Sequence, residues 1–392
     1  MLTAETIGAI SLGLLLFQGI ATLILLSRLL KGPGRTPPLK PQNPSPELLG
    51  AVSVVVPTLN EVDRIDPALE GLTRQSYEVR EIIVVDSNSQ DGTREKVQAA
   101  ARFDPRFRLI TDDPLPPGWV GRPWALHNGF LHSSQKSEWI LGIDADTQPQ
   151  PGLVASIVQT AIKEGYDLLS LSPQFILKYP GEWWLQPALL MTLLYRFDSA
   201  GVKFQSPERV MANGQCFLAR RQVLEQLGGY KSAARSFCDD VTLARYAAAA
   251  GYQVGFLDGA QVIKVRMYEG AAQTWQEWGR SLDLKDASTL PQLWSDLWLL
   301  FCTQALPIPL LLILPNLQQP YPSLTLMGAI GLNVFLLLIR IGLQLAIAPA
   351  YYPFHSFASF FFWFSPLADP LAVLRIFLSA LQKPTSWRGR VY

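Results

Sequence analysis

The sequence has few charged residues, and this scarcity is the first indication of its class. Only 17% of its 392 residues are Asp, Glu, Lys or Arg, whereas 49% are hydrophobic. Such a composition is too apolar for an ordinary soluble enzyme and predicts contact with a membrane. The formal net charge is +1, and no long basic run occurs. We therefore expect no nucleic-acid partner.

Residues typical of disulfide and zinc sites are also scarce. The chain has three cysteines, Cys216, Cys238 and Cys302, and three histidines. The cysteines are odd in number and lack the spacing of zinc ligands, and the histidines do not cluster, so neither a disulfide framework nor a zinc site is expected. The first apolar strand is followed by no Walker loop and no Gly-x-Gly-x-x-Gly motif, which disfavours an ATPase and an NAD-dependent enzyme.

Long uncharged runs do occur, at both ends of the chain. Residues 7–26 would form about 30 Å of helix, the thickness of a bilayer core. Basic residues follow this run instead of preceding it, which favours an uncleaved anchor over a signal peptide and puts the N-terminus outside. Residues 297–314 and 324–339 are long enough to cross or nearly cross a bilayer. Residues 357–381, interrupted by two prolines and an aspartate, could span, re-enter or lie in the interface.

The middle of the chain has the pattern of a mixed α/β protein. From residue 51 to about 278, apolar strands such as "AVSVVVP", "EIIVVD", "RFRLITD" and "EWILGIDAD" alternate with helix-like stretches. This order predicts an α/β fold with a largely parallel sheet, whose ligands gather at the carboxyl ends of the strands. The predicted regions are an anchor (1–31), a proline-rich linker (32–50), a cytosolic α/β domain (51–290), membrane segments (291–381) and a basic cytosolic tail (382–392).

Polar residues stand at the ends of three of the predicted strands. Asn60 and Glu61 follow the first, Asp86 ends the second, and Asp144 and Asp146 end the "WILGIDAD" strand. One such residue alone is more often a turn or a cap, but three sets on one rim indicate a binding site. Carboxylates accept hydrogen bonds from ribose hydroxyls and base N–H groups, and a D-x-D pair can share a divalent cation with phosphate oxygens.

In their order, these motifs resemble those of the family 2 glycosyltransferases over about residues 52–280. The matching stretches are "VVVPTLNE", "VVDSNSQDGT", "GRPWALHNG", "DAD" and "CDDVTLAR". Arg122 stands where the family has lysine, and His127 intrudes before Asn128. The resemblance implies the GT-A fold and a nucleotide-sugar donor. The donor contacts that it implies are Pro57, Asn60, Glu61, Asp86, Ser87, Asp91, Arg122, Asp144 and Ala145.

The same resemblance implies the metal and catalytic residues. Asp144 and Asp146 would bind a divalent cation, Mg²⁺ or Mn²⁺. Asp239 and Asp240 match the family's catalytic pair, and Asp240 would be the base. A helix N-cap is the structural alternative for this pair, since helical sequence follows it. The two roles are compatible.

The acceptor is indicated by a departure from the family pattern. Processive members carry Q-x-x-R-W, whereas this chain has "WQEWGRS", with Trp275, Trp278 and Arg280. This departure favours transfer of a single sugar, although both tryptophans could instead anchor at the membrane interface. The anchor, the α/β domain, the C-terminal apolar segments and a closing W-R-G-R-x-Y resemble a subgroup that glycosylates hydroxylated carotenoids and hopanoids.

We therefore expect an inverting, membrane-bound glycosyltransferase that moves one sugar to a hydroxyl of a membrane lipid, with a hydroxycarotenoid favoured. A hopanoid, a glycerolipid, a polyprenyl phosphate or a polysaccharide are alternative acceptors. An alternative from another class is a catalytically silent protein that only binds nucleotide or lipid.

Overall fold

The computed structural model describes residues 3–203, 206–279, 282–317, 323–382, 386–387 and 390–391. Arg280 and most of the predicted basic tail lie outside the described residues. The chain divides into two compact units. The first, here the helical unit, comprises Met1–Pro33, Leu177–Asp198 and Tyr268–Lys383; the second, here the sheet unit, comprises Gly34–Ile176, Ser199–Met267 and Pro384–Tyr392.

The α-helices of the described residues are numbered in chain order. They are α1 Ala4–Leu29, α2 Asp66–Thr73, α3 Thr93–Phe103, α4 Gly121–His132, α5 Leu153–Glu164, α6 Pro180–Arg196, α7 Arg221–Gln226, α8 Asp239–Ala249, α9 Gly270–Gln273, α10 Leu290–Leu300, α11 Pro307–Ile313, α12 Leu324–Ile347 and α13 Asp369–Leu381.

The strands are numbered in the same way. They are β1 Val52–Thr58, β2 Val79–Asp86, β3 Phe107–Thr111, β4 Trp139–Ile143, β5 Thr147–Pro149, β6 Leu168–Ser172, β7 Gln174–Phe175, β8 Cys216–Arg220, β9 Val254–Asp258, β10 Ile263–Val265, β11 Ser386–Trp387 and β12 Arg390–Val391.

A seven-stranded sheet in the order β3-β2-β1-β4-β8-β6-β9 forms the centre of the sheet unit. Strand β1 pairs in parallel with both β2 and β4, whereas β8 runs antiparallel to β4 and β6. All residues of β1 are buried, as expected for a central strand that is covered on both faces. The predicted α/β fold with a largely parallel sheet is thus confirmed, and the four predicted strands correspond to β1 to β4.

The strand predicted over residues 138–146 is shorter in the structure. Strand β4 ends at Ile143, so Asp144 and Asp146 lie beyond the sheet edge and not within the strand. The chain then enters a second sheet of three strands, in the order β5-β10-β7. The side chains of Asp144 and Asp146 therefore lie on the short connection between strand β4 of the first sheet and strand β5 of the second.

A glycine lets α4 pack closely on the central strands. A β-carbon added at Gly129 would lie 2.3 Å from Val55 Cγ1 and 3.0 Å from Val85 Cγ2. Only glycine therefore permits this approach of helix to sheet. The close packing brings the first turn of α4, with Arg122, to the rim where β1, β2 and β4 end.

The helical unit contains stretches that are long and apolar enough to cross a membrane. Within the described residues these are Glu5–Gly34, Leu324–Ala350 and Phe357–Leu381. The pair Leu290–Ala305 and Pro307–Leu317 meets the same criterion together but is bent by 45°. The predicted run 297–314 thus falls on a broken helix, whereas the interrupted run 357–381 is helical throughout.

Two buried polar networks connect the apolar helices. Gln18 and Asn333 exchange side-chain hydrogen bonds of 3.0 and 3.1 Å between α1 and α12. Arg340 of α12 donates from Nε to Asp369 Oδ2 at 2.7 Å and from Nη2 to Ser365 Oγ at 3.0 Å. Because a buried polar group is costly to leave without a partner, such contacts fix the pairing of neighbouring helices.

Candidate functional site

Three strand ends meet at one rim of the seven-stranded sheet. The register aligns Thr58 of β1 with Asp86 of β2, and Val55 of β1 with Gly142 of β4. Because these strands are parallel neighbours, the residues that follow them emerge on the same edge. This is the edge where open α/β sheets bind ligands.

A cluster of one arginine and three aspartates lies at this rim. We call Arg122, Asp144, Asp239 and Asp240 the Arg122 cluster. Arg122 donates from Nε and Nη2 to Asp144 Oδ1, at 3.0 and 2.9 Å, and from Nη1 to Asp239 Oδ2. Its Nη2 also donates to the carbonyl of Gly214 at 2.8 Å. One guanidinium thus joins the end of β4, the first turn of α8 and the turn before β8.

The two aspartates that precede the "VTLAR" helix lie inside its first turn. Helix α8 begins at Asp239, after Cys238 at the N-cap position. Carboxylates are favoured at this position because the N-terminus of a helix carries partial positive charge. Asp240 accepts a 2.6 Å hydrogen bond from the backbone N–H of Gly214. The alternative of an N-cap residue therefore does not apply to either aspartate.

Gly214 makes the cluster compact. A β-carbon at this position would lie 2.3 Å from Arg122 Nη2, so any other residue would displace the guanidinium. The backbone of Gly214 contacts two members of the cluster at once, because its carbonyl accepts from Arg122 while its N–H donates to Asp240.

The surplus of negative charge perturbs the ionisation of Asp240. Burial, reinforced by the neighbouring Asp239, raises the pKa of Asp240 to about 6, although Arg122 and two backbone N–H groups act in the opposite direction. Although burial alone would lower it, the attraction of Asp144, Asp239 and Asp240 raises the pKa of Arg122 well above its ordinary value. The arginine therefore stays charged, and Asp240 is able to exchange a proton near neutral pH.

Asp144 and Asp146 are the candidate metal ligands on the connection after β4. Both are half-buried, whereas Ala145 between them is buried. Among the described residues, no group of three or more His, Cys, Asp or Glu side chains could hold a metal ion by itself. Two half-buried carboxylates suit a hard cation such as Mg²⁺, which is usually bound through one or two carboxylates together with substrate phosphates and water.

Asp86 lies buried at the end of β2. Its Oδ2 accepts a 3.1 Å hydrogen bond from the N–H of Ser89 and lies 3.7 Å from Arg94 Nη1. The neighbouring Ser87 donates to Asp112 Oδ2 at 2.9 Å. The predicted base-contacting residues are thus held in a fixed turn, and Asp112 is a supporting residue that the sequence reasoning missed.

The other predicted donor contacts hold the loops after β1 and β2 together. Asn60 has a positive φ of 54°, donates its N–H to Ser89 Oγ at 2.9 Å and accepts from the N–H of Gln90. Asp91 accepts from the N–H groups of Val62 and Thr93. Asp91 thus has a clear structural role at the start of α3.

Glu61 and Pro57 lie deeper than a ligand contact would suggest. Glu61 is buried and lies 3.8 Å from Arg64, and Pro57 is a buried residue of β1. The structure therefore joins Arg122, Asp144 and Asp239 through hydrogen bonds, with Asp240 close enough to interact electrostatically with Arg122. It gathers Asn60, Asp86, Ser87 and Asp91 at the neighbouring strand ends.

The histidine that interrupts the "GRPWALHNG" stretch has a packing role. The ring of His127 stacks on Trp119, with centroids 5.0 Å apart, and its Nδ1 accepts from the N–H of Tyr230. Burial and the nearby Lys231 lower the pKa of His127, so it is neutral at pH 7. No sequence pattern predicted this stack, because its partners come from a loop and a turn.

Part of this site falls within a match to a known protein family, because the matched residues include Arg122 and Asp144 but end before Asp239 and Asp240. Residues 53–228 match the family model described as glycosyl transferase family 2. A 4,4'-diaponeurosporenoate glycosyltransferase of Staphylococcus haemolyticus is 26% identical over 261 residues, 65% of this chain and 68% of that protein. A GalNAc(5)-diNAcBac-PP-undecaprenol beta-1,3-glucosyltransferase of Campylobacter jejuni is 30% identical over 115 residues, 29% of this chain and 35% of that protein.

A solved structure shares the fold over nearly the whole chain. The mannosyltransferase PcManGT from Pyrobaculum calidifontis, in complex with GDP-Man and Mn²⁺, has a TM-score of 0.54 and 18% identity. The match covers 96% of this chain and 98% of that one. Residues 53–228 therefore form a glycosyl transferase family 2 domain with the GT-A fold, and this chain is a glycosyltransferase.

Proposed function

We propose that this protein transfers one sugar from a nucleotide-sugar donor to a hydroxyl of a membrane lipid, with inversion at the anomeric carbon, and that the lipid is a hydroxylated carotenoid. The observation that carries the proposal is the Arg122 cluster. It combines a carboxylate with a pKa of about 6, a permanently charged guanidinium and a half-buried carboxylate at one strand rim.

The donor lies across the carboxyl ends of β1, β2 and β4 in this proposal. Asp86, Ser87 and Asn60 hold the base and ribose, because their turn offers fixed oxygen acceptors. Asp144 and Asp146 would hold a divalent cation, either Mg²⁺ or Mn²⁺, which would neutralise the charge that develops on the departing diphosphate. Arg122 adds a second positive charge at the same place.

Asp240 is the proposed general base. It takes the proton from the acceptor hydroxyl as that oxygen attacks the anomeric carbon from the face opposite the diphosphate. The new bond from oxygen to carbon forms as the bond from carbon to diphosphate breaks, so a single displacement inverts the configuration. The hydrogen bond from the N–H of Gly214 and the contact of Arg122 with Asp239 orient the first turn of α8 for this step.

The apolar helices supply the reason to propose a lipid acceptor. A hydroxycarotenoid dissolves in the bilayer, and the candidate spans keep the enzyme there. The similarity to 4,4'-diaponeurosporenoate glycosyltransferases, at 26% identity, supports a carotenoid-type acceptor. The basic residues after the first span favour a catalytic domain in the cytosol, where nucleotide sugars are present.

A polyprenyl-linked acceptor is the second candidate. It is favoured by the 30% identity, over 115 residues, to a glucosyltransferase whose name specifies an undecaprenol diphosphate. Both candidates are isoprenoid lipids, and they differ in the polar end that receives the sugar.

The experiment is a transfer assay with membranes from cells that express the full chain. Radiolabelled sugar nucleotides, a divalent cation and an extract of pigments and lipids are supplied, and label is followed into the organic phase. An Asp146→Ala variant is the matched control, because it removes one proposed cation ligand from the surface connection after β4.

Metal-dependent label on a hydroxycarotenoid, absent in Asp146→Ala, is the expected result. Label on a polyprenol or glycerolipid instead would keep the enzyme class and discard the acceptor. The absence of label from every lipid with every donor would overturn the proposal and favour a protein that only binds nucleotide or lipid.

A further inference from the structure

An apolar groove of about 570 Å³ lies within the helical unit, between α10–α11 on one side and α13 on the other. Three of its lining residues, exposed by 46 to 48%, form the walls, and three buried ones form the floor. These are Trp294, Phe301 and Leu374 on the walls, and Leu297, Ala305 and Val373 on the floor. The volume falls within the range of pockets that hold small-molecule ligands.

The groove exists because one of its walls is bent. Residues Phe301–Ala305 form a π-helix, and Pro307 follows, so the axis turns by 45° between Leu290–Ala305 and Pro307–Leu317. Opposite the bend, α13 runs as one α-helix from Asp369 to Leu381. Two walls of different curvature cannot close on each other along their whole length. π-Helical turns are frequent at functional sites.

Contacts from helix α1 hold the bend in place. The carbonyl of Cys302, inside the π-helix, accepts a 2.9 Å hydrogen bond from Gln18 Nε2 of α1. Gln18 and Cys302 are both completely buried. On the same side, the ring of Phe17 packs edge-on against Trp298, with centroids 5.8 Å apart. The bend that shapes the groove is therefore fixed by contacts with α1.

The lining selects an uncharged, apolar occupant. None of the residues that line the groove is charged, and the polar hydrogens of its side chains are limited to two indole N–H groups, of Trp294 and Trp298. A charged or strongly hydrated group would lose its water there without compensation. Four aromatic rings, of Trp294, Trp298, Phe301 and Phe377, offer flat faces to the occupant. A flat conjugated hydrocarbon matches both the neutrality and the shape.

One end of the groove is marked by a pair of aromatic rings. At this end Phe377 packs against Trp294, with ring centroids 6.0 Å apart. Pro309 and Pro370 line the other end. A hydrocarbon chain lying in the groove would thus run from the aromatic pair to the two prolines.

We infer that this groove binds the polyene hydrocarbon chain of the acceptor lipid. The inference rests on the proposed function, because that function supplies the acceptor. The groove accounts for binding of the lipid's hydrocarbon chain, which the Arg122 cluster does not explain. It selects acceptors by their chain, while the cluster acts on their hydroxyl.

The test fills the groove with Leu374→Trp in the full chain, reconstituted in lipid nanodiscs. Leu371→Trp is the matched control, because Leu371 lies on the same helix, is exposed by 40% against 46% for Leu374, and is outside the lining. Initial rates are measured with a hydroxylated polyene and with a short alcohol that carries the same end group.

We expect Leu374→Trp to raise the KM for the polyene about tenfold, the effect of losing two buried methylene contacts. The KM for the short alcohol and for the sugar nucleotide should stay unchanged, and Leu371→Trp should resemble the unmodified chain. Equal kinetics of all three proteins with the polyene would overturn the inference. So would a loss with Leu374→Trp that is equally large for the short alcohol.

A binding measurement separates this inference from the proposed function. If the unmodified chain transfers no sugar to any polyene, the proposed function has failed, and retention of radiolabelled polyene by the purified protein decides on the groove. Saturable retention that Leu374→Trp abolishes and Leu371→Trp keeps would support a hydrocarbon site. Retention that is the same in all three proteins, or that excess phospholipid removes entirely, would overturn it.

Discussion

Two clusters of arginine and aspartate, one in each unit, differ in composition and in exposure. In the helical unit Arg340 faces Asp369, and both side chains are at most 3% exposed. In the sheet unit Arg122 faces three aspartates, and Asp144 keeps 26% of its side chain exposed. The first pair is balanced and enclosed. The second carries more negative charge than its arginine can neutralise, and it is open at one edge.

This difference separates a structural ion pair from a reactive one. The Arg340 pair is completed by Ser365 and by Gln304, which donates to Asp369 Oδ1 at 3.0 Å. A balanced, fully bonded pair has nothing further to bind. The surplus carboxylates of the Arg122 cluster can attract a cation or accept a proton, which are the two tasks of a metal-assisted sugar transfer.

The largest effect is expected from Asp240→Asn, which leaves the shape of the open cluster intact but removes the proposed base. We expect kcat to fall by about 10² to 10⁴-fold, the usual contribution of general base catalysis, while the affinity for the sugar nucleotide stays the same. Steady-state transfer rates and nucleotide titrations measure the two effects.

Asp167→Asn is the matched control, because Asp167, like Asp240, is a carboxylate that accepts a backbone hydrogen bond, here from the N–H of Gln253 at 2.9 Å. It should retain full activity. Weakened nucleotide binding with full turnover in Asp240→Asn would show that Asp240 is not the base.

Substitutions in the enclosed pair, Arg340 and Asp369, should change the stability of the protein. Asp369→Leu leaves the guanidinium of Arg340 buried without its counter-ion, which costs about 3–5 kcal/mol. Thermal unfolding in detergent should show the loss. The double variant Arg340→Leu/Asp369→Leu should recover most of the stability, because two apolar side chains leave no charge behind. If the double variant is as unstable as the single one, the pair has a role beyond mutual neutralisation.

The catalytic rate should depend on pH through the Arg122 cluster. With the pKa of Asp240 raised to about 6 from an ordinary value near 3.8, the native enzyme holds this proton between about pH 4 and pH 6. The base must be ionised to act, so kcat/KM should rise about tenfold per pH unit below pH 6 and level off above it.

Folding stability should move in the opposite direction. In this window the native state binds a proton that the unfolded chain has released, so Asp240 favours the folded state less as the pH rises from 4 to 6. A pH profile that is flat from 5 to 8 would contradict the assignment of Asp240 as the titrating base.

The smallest effect is expected from substitutions in the uncharged pair of the helical unit, Gln18 and Asn333. Gln18 and Asn333 exchange two hydrogen bonds between α1 and α12. A double-mutant cycle with Gln18→Leu and Asn333→Leu should give a coupling energy of about 0.6 kcal/mol, typical of polar contacts between membrane helices. A coupling several times larger would mean that this pair, like Arg340 and Asp369, is essential to helix assembly.

Much of the sheet unit could be predicted, because its signals are local. The apolar stretch "AVSVVVP", residues 51–57, was predicted as a strand and is observed as β1, Val52–Thr58, since its apolar run lies within one short stretch. The three strand-end motifs were predicted to share a rim, and parallel pairing of β1, β2 and β4 puts them there. The rule that ligands gather at this edge needs only the order of the strands.

The partners within the site could not be predicted in the same way. Arg122 precedes Asp144 by 22 residues and Asp239 by 117 along the chain. Its bridging role depends on the close packing of α4, on the turn at Gly214 and on the start of α8, and no local pattern records these contacts. The hydrogen bond from the N–H of Tyr230 to His127 was missed for the same reason, because 103 residues separate the two along the chain.

The sequence by itself determined the alternation of strands and helices, the candidate membrane runs and the identity of the carboxylates, because hydrophobic periodicity and residue chemistry are properties of short stretches. Only the tertiary structure decided which charges meet. It also decided that α6, between β7 and β8 in the chain, belongs to the helical unit, and that the run 297–314 is bent around a groove. Contacts between distant segments depend on packing in three dimensions, and a linear pattern does not specify them.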